Sequence, residues 1–183
     1  MPIDPVFENV FSKVYGLPCW RVAPGHGSFL TFEFGEPHLE IREPEPTNPK
    51  YSAKMNRNLA SRRVFIHGDW HLWIYCCDWK VTSKGKFVGK STSATSYLRA
   101  ADLLDGQKLI RVEIIARPCR TVFEFDLGGV LETRPYDRAS EQWMFFDRAT
   151  DKVLTLRADG FFSHNRSDVA GSQKWEPIHL PGS

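Results

Sequence analysis

The chain has 183 residues, 42% hydrophobic and 13% aromatic, which excludes a disordered chain and supplies the apolar surface for a single core. Its net charge of +2 hides an uneven distribution: residues 1–46 carry 3 basic and 7 acidic side chains, residues 47–120 carry 14 and 5, and residues 121–183 carry 7 and 10. No apolar run approaches the roughly 18 residues of a membrane-spanning helix, so no membrane partner is expected. The first residues, Met1-Pro2-Ile3-Asp4, lack the basic and apolar regions of a secretory signal. Of the four cysteines, Cys19 and Cys119 stand alone and Cys76 and Cys77 are adjacent, with no C-x-x-C. A vicinal disulfide would be strained, so the expectation is reduced thiols in a soluble, cytoplasmic chain.

Asp4 and Pro5 are a cap and a first-turn residue for a helix whose apolar stripe is Val6, Phe7, Val10, Phe11 and Val14. Gly16 follows, where a left-handed residue ends a helix. Phe32 and Phe34 flank Glu33 in strand-like alternation, and Gly35-Glu36-Pro37 predicts a hairpin turn into Leu39-Glu40. A loop at 44–61 then reads as mobile. Leu72 to Cys77, within HLWIYCCDWKV, is apolar on both faces, as a central strand requires.

A second helix is predicted with Thr95 or Ser96 as its cap, Leu98, Ala101 and Leu104 on its stripe and Gly106 at its stop. Ile110, Val112 and Ile114 alternate with Arg111 and Glu113. Phe123 and Phe125 flank Glu124, and Asp126-Leu127-Gly128-Gly129 predicts another hairpin turn. QWMFF is a strand carrying Trp143, and residues 153–164 form a hairpin turning at Ala158-Asp159-Gly160. The tail 165–183 reads as flexible.

The two halves match in order. At an offset of 90, Phe7 meets Tyr97, Val10 meets Ala100, Val14 meets Leu104, Gly16 meets Gly106, and Arg21-Val22 meets Arg111-Val112. After one inserted residue, Phe32-Glu33-Phe34 meets Phe123-Glu124-Phe125; Leu39-Glu40 then meets Leu131-Glu132, and Trp73 meets Trp143. The expectation is an α+β fold, mainly antiparallel β, made by tandem duplication of a helix–strand–hairpin–strand unit. It would be one domain of two pseudo-symmetric repeats, about 4–81 and 95–158, in two sheets or one continuous sheet with one helix per repeat. Trp73 and Trp143 are expected in its interior.

Motifs for chemistry are weak. GKFVGKST, 85–92, has three spacers between Gly85 and Gly89-Lys90-Ser91 where a phosphate loop needs four, so a turn and a short strand are expected instead. In HGDWH, a strand would separate His67 from His71 by about 13 Å, too far to share one ion. His67 and Asp69 could share one but find no third ligand. Glu33 and Glu124 read as outward positions of alternating strands. Ser28, near His26, lacks a nucleophile elbow.

No catalytic residue, metal or cofactor is therefore assigned. Candidate partner-binding residues are Lys50, Lys54, Arg57, Arg62 and Arg63, in or beside the 44–61 loop. The leading expectation is a non-enzymatic protein-binding protein of inhibitor or immunity-like type, with nucleic acid possible through the basic middle segment. The alternatives are a small hydrolase or nucleotide-binding enzyme using Gly85–Ser91 or His67, Asp69 and His71, and a carbohydrate or nucleic-acid binding module using exposed tryptophans.

Overall fold

The computed structural model describes residues 4–25, 27–116, 119–168 and 173–179. It is mainly antiparallel β, 47% strand and 14% helix, with three short helices and three sheets. No described helix is long and apolar enough to cross a membrane.

Helix α1 (Pro5–Phe11) starts as its residues dictate: the Asp4 carboxylate accepts a hydrogen bond from the Val6 N–H at 3.0 Å. The chain then carries β1 (Trp20–Pro24), β2 (Leu30–Phe34), β3 (His38–Arg42), α2 (Ala53–Leu59), β4 (Arg63–His67), β5 (Trp70–Ile74), β6 (Asp78–Ser83) and β7 (Lys86–Lys90). Its second half holds α3 (Ala94–Leu104), β8 (Leu109–Ala116), β9 (Cys119–Phe125), β10 (Gly129–Arg134), β11 (Glu141–Asp147), β12 (Lys152–Arg157), β13 (Phe161–Arg166) and β14 (Glu176–Pro177). The α3 cap is Ser93, two to three residues before the expected Thr95 or Ser96, and its side chain makes no capping bond.

One sheet has seven strands in the order β1-β2-β5-β11-β12-β13-β14, and another has five in the order β7-β6-β10-β9-β8. They pack face to face: Phe32 of β2 stacks on Phe125 of β9 at 6.2 Å, and the Trp143 Nε1–H of β11 donates to Thr121 Oγ1 of β9 at 2.8 Å. Helix α1 drives Phe7 and Phe11 into this interior, against Trp143, Phe145, Phe162 and Phe123. Full burial of such a side chain contributes roughly 1.5–3 kcal/mol. Helix α3 lies on β7, where Gly89 is obligatory; a Cβ there would sit 2.2 Å from the Ser96 carbonyl oxygen.

The chain crosses between the two sheets at 75–77 and again at 135–140. HLWIYCCDWKV is thus two strands joined by a corner, not one. This corrects the tryptophan reading: Trp79 and Trp143 point inward at 2% and 0% exposure, whereas Trp73 lies on the outer face of β5, packed on Phe29 and Tyr75. Among the described residues the helices number three, since the 44–61 loop contains α2. Of the 165–183 segment, Asn165 and Arg166 finish β13 and Glu176–Pro177 form an edge strand.

A second correction concerns the two Phe-Glu-Phe strands. Asp126–Gly129 does turn β9 into β10, with Phe123 opposite Leu131. Gly35-Glu36-Pro37 is no hairpin turn; β3 pairs only with β4, and Phe32 stands opposite Leu72 of β5. Residues 35–69 therefore leave the sandwich between β2 and β5 and return as a separate two-stranded arm.

On the outer face of the five-stranded sheet, Glu132 is gripped by Lys80, Arg134 and Arg120 at 2.8, 2.9 and 3.0 Å. Burial alone would raise its carboxyl, but hydrogen bonds from Lys80, Arg134 and Arg120 outweigh that and lower it from 4.5 to about 2. A lowered folded-state value stabilises above the unfolded value and is lost as pH falls from about 4.5 towards 2. With solvent screening taken into account, Glu132→Gln is expected to cost about 1–2 kcal/mol at pH 7, a difference that closes by about pH 2 in urea melts.

Candidate functional site

The arm of β3 and β4 is the least buried part of the described molecule. Its register places Leu39 opposite Ile66 and Ile41 opposite Val64, so all four aliphatic side chains share one face. They are 70%, 45%, 57% and 60% exposed, respectively. Helix α2, at the far end, buries none of its residues. Ser52 caps it by accepting from the Met55 N–H at 3.2 Å, and the Asn56 side chain clips it to Asn48.

All five sequence-predicted basic residues fall on this arm. Residues 47–67 hold those five cations and no acidic residue. Lys50 precedes α2, Lys54 and Arg57 lie on it, Arg62 precedes β4 and Arg63 begins it. Arg62 is paired with Glu43 at 2.8 Å and Arg63 donates to Asn58 Oδ1 at 3.0 Å. Lys50, Lys54 and Arg57 have no ion pair among the described residues. The cations are thus brought together with an apolar face that the sequence reading missed. Alternation in LEI and VFI was its available signal.

HGDWH forms the root of the arm. The Gly68 N–H donates to Glu33 Oε2 at 2.9 Å, and His71 Nδ1 lies 2.8 Å from Glu33 Oε1. Asp69 accepts from the Glu36 N–H and lies 2.8 Å from His38 Nε2, so the two ends of the arm are tied together. Glu33 takes its expected outward side of β2, opposite His71, but it is buried there because this root covers it. Burial would raise its carboxyl, yet hydrogen bonds from His71 and Gly68 and the electrostatic pull of His71 and Arg148 hold it below its ordinary value. Glu124 is in the other sheet, paired with Arg111 at 3.3 Å. No group of three or more His, Cys, Asp or Glu could hold a metal ion among the described residues.

Between the inner face of the arm and the seven-stranded sheet lies a cleft of about 310 Å³, at the lower end of ligand-pocket volumes. Arg21, Arg42 and Arg148 line it, together with Glu33, Glu40 and Phe65. Arg21 sits in a bulge of β1 at a φ of 52°, a left-handed conformation that costs a non-glycine residue about 1–2 kcal/mol. The bulge turns its guanidinium towards the arm, where it donates to the Ile66 carbonyl.

Gly85 and Ser91 mark no phosphate loop. Lys84 and Gly85, at φ 48° and 77°, make a two-residue hairpin turn, and Gly89 and Lys90 belong to β7. Ser91 Oγ donates to Asp78, beside a second cleft lined by Lys80, Lys90 and Arg134. Burial pushes the Cys19 thiol up to about 12 and that of Cys119 to about 11, which leaves both inert as nucleophiles. Ser28 lends its carbonyl to the Trp79 Nε1–H, and His26 lies outside the described residues. No protein-family model, curated protein or solved structure matches the chain.

Proposed function

We propose that the protein is a non-enzymatic, cytoplasmic protein-binding protein and that the arm is its recognition surface. The observation that carries this reading is the exposed aliphatic face of Leu39, Ile41, Val64 and Ile66 on the same projecting hairpin as five cations. Apolar side chains raised on a stalk away from the core contribute little to folding, but they desolvate well against a partner. Lys50, Lys54, Arg57, Arg62 and Arg63 would steer an acidic surface towards them. A nucleic acid would use the cations and leave the aliphatic face wet, which favours a protein. The unpaired cysteines fit a reducing compartment.

The test compares capture from an extract of the source cells by wild type and two double variants. Lys54→Glu with Arg57→Glu removes the steering charge; Ile41→Thr with Val64→Thr removes the apolar face but keeps the β-branched shape. Each is expected to retain about tenfold less of the specific partner, with Tm within about 2 °C of wild type. Undiminished capture by both, at unchanged Tm, would remove the proposal.

We also propose that the chain is a tandem duplication whose halves exchange their last strands. Hydrogen bonds across the halves support this by reciprocity. The Gly16 N–H donates to the Leu109 carbonyl and the Gly106 N–H to the Cys19 carbonyl, both at 2.8 Å. The Cys19 N–H donates to Gln107 and the Leu109 N–H to Leu17, while Pro18 bridges Lys108, all at the same offset of 90. In this reading Trp79, not Trp73, is the counterpart of Trp143, and the arm is an insertion in the first unit.

A further inference from the structure

We propose that the cleft between the arm and the seven-stranded sheet binds a small organic oxyanion, a carboxylate or phosphate ester that also carries a hydroxyl or amino group. Three guanidiniums reach this cleft from separate segments: Arg21 from the β1 bulge, Arg42 from the arm and Arg148 from the turn after β11. None of the three is ion-paired among the described residues, although acidic side chains are nearly as numerous as basic ones in this chain. Two are held ready. Arg21 is fixed by its bond to the Ile66 carbonyl, and Arg42 lies over the Phe65 ring at 5.4 Å. A planar fork held in this way is suited to bidentate capture of an oxyanion.

Glu33 on the cleft floor is bonded to the Gly68 N–H and His71 and acts on Arg148 only through space, so three guanidiniums against the carboxylates of Glu33 and Glu40 leave the cleft with an excess of positive charge. Glu40 lines the same cleft with no ion pair among the described residues and offers an acceptor to the ligand's hydroxyl or ammonium group. In the second cleft Lys80 and Arg134 are both held in direct ion pairs by Glu132, so two of its three cations are already engaged. The strained φ of Arg21 supports the assignment, since a left-handed non-glycine residue in a bulge marks a side chain aimed for use. Leu39, Ile41 and Val64 do not line the cleft, and Ile66 serves it with the carbonyl that holds Arg21, so this inference goes beyond the partner reading above.

Calorimetric titration with L-glutamate and with glycerol 3-phosphate, against sodium chloride of matched ionic strength, tests the assignment. Binding of at least one probe above the salt control is expected. Arg21→Gly removes the guanidinium while giving the backbone a residue at ease at positive φ, so the fold is kept. It and Arg148→Gln are each expected to weaken binding about tenfold or more. Lys90→Gln, in the second cleft, is expected to bind as wild type, and so is the Ile41→Thr, Val64→Thr variant. That last result separates failure here from failure of the arm reading. No heat beyond the salt control with either probe, or equal affinity in the Arg21 and Arg148 variants, overturns the proposal.

Discussion

Trp143→Ala is expected to lower Tm by roughly 6–20 °C, while Trp73→Ala lowers it by less than half as much. The indole of Trp143 is fully buried where the two sheets and α1 meet, with Phe11 at 5.6 Å and Phe7 and Phe123 at 6.0 Å. Its Nε1–H also satisfies Thr121 Oγ1. Truncation therefore opens a cavity lined by aromatic rings and leaves a buried hydroxyl without a partner. Removal of a core tryptophan costs about 3–5 kcal/mol, and each kcal/mol moves a chain of this length by about 2–4 °C. Trp73 keeps one side to solvent and meets Phe29 and Tyr75 edge to face, at 5.5 and 4.7 Å. Thermal melts of the two variants decide the matter. Equal losses would mean that the outer face of β5 is as closely packed as the sandwich interior.

Gly68→Ala is expected to be nearly as damaging, although it adds one methyl group. A Cβ at this position would lie 2.2 Å from the Phe34 carbonyl oxygen and 3.0 Å from the Phe34 nitrogen, both atoms of the backbone. Something in β2 or in the arm root must move. Overpacking of this kind costs about 1–3 kcal/mol, and the same movement endangers the bond from the Gly68 N–H to the Glu33 carboxylate, a charged acceptor worth about 1.5–3 kcal/mol. The expected fall in Tm is roughly 5–20 °C. Gly160→Ala is the matched control. Its φ of 81° is strained for alanine but its Cβ meets open space, so a cost of about 1–2 kcal/mol is expected. A Gly68→Ala variant that melts no lower than Gly160→Ala would remove the account of the arm root as a tightly fitted hinge.

The amino-acid sequence by itself determined what depends on neighbours in the chain. Asp4 and Pro5 start a helix because a carboxylate two residues ahead of a free N–H bonds to it wherever the helix lies. Gly106 follows the end of α3 at positive φ, the glycine-rich turn at 126–129 closes a hairpin, and alternation at residues 119–125 separates an inner from an outer face, whereas α1 already ends at Phe11 and Gly16 closes the turns after it. The basic residues of the arm were legible as a cluster for the same reason. Only the tertiary structure decided which strands pair. A period of two tells which side chains share a face but not which strand lies alongside, so Phe32 takes Leu72 and not Leu39 as its neighbour. The corner at 75–77 then sends Trp79, rather than Trp73, into the core. The burial of Glu33 and the meeting of Arg21, Arg42 and Arg148 have the same origin. Each brings together residues tens of positions apart, and their approach is set by the packing of the arm root on β2 and by one bulge in β1, neither of which leaves a periodic signal in the chain.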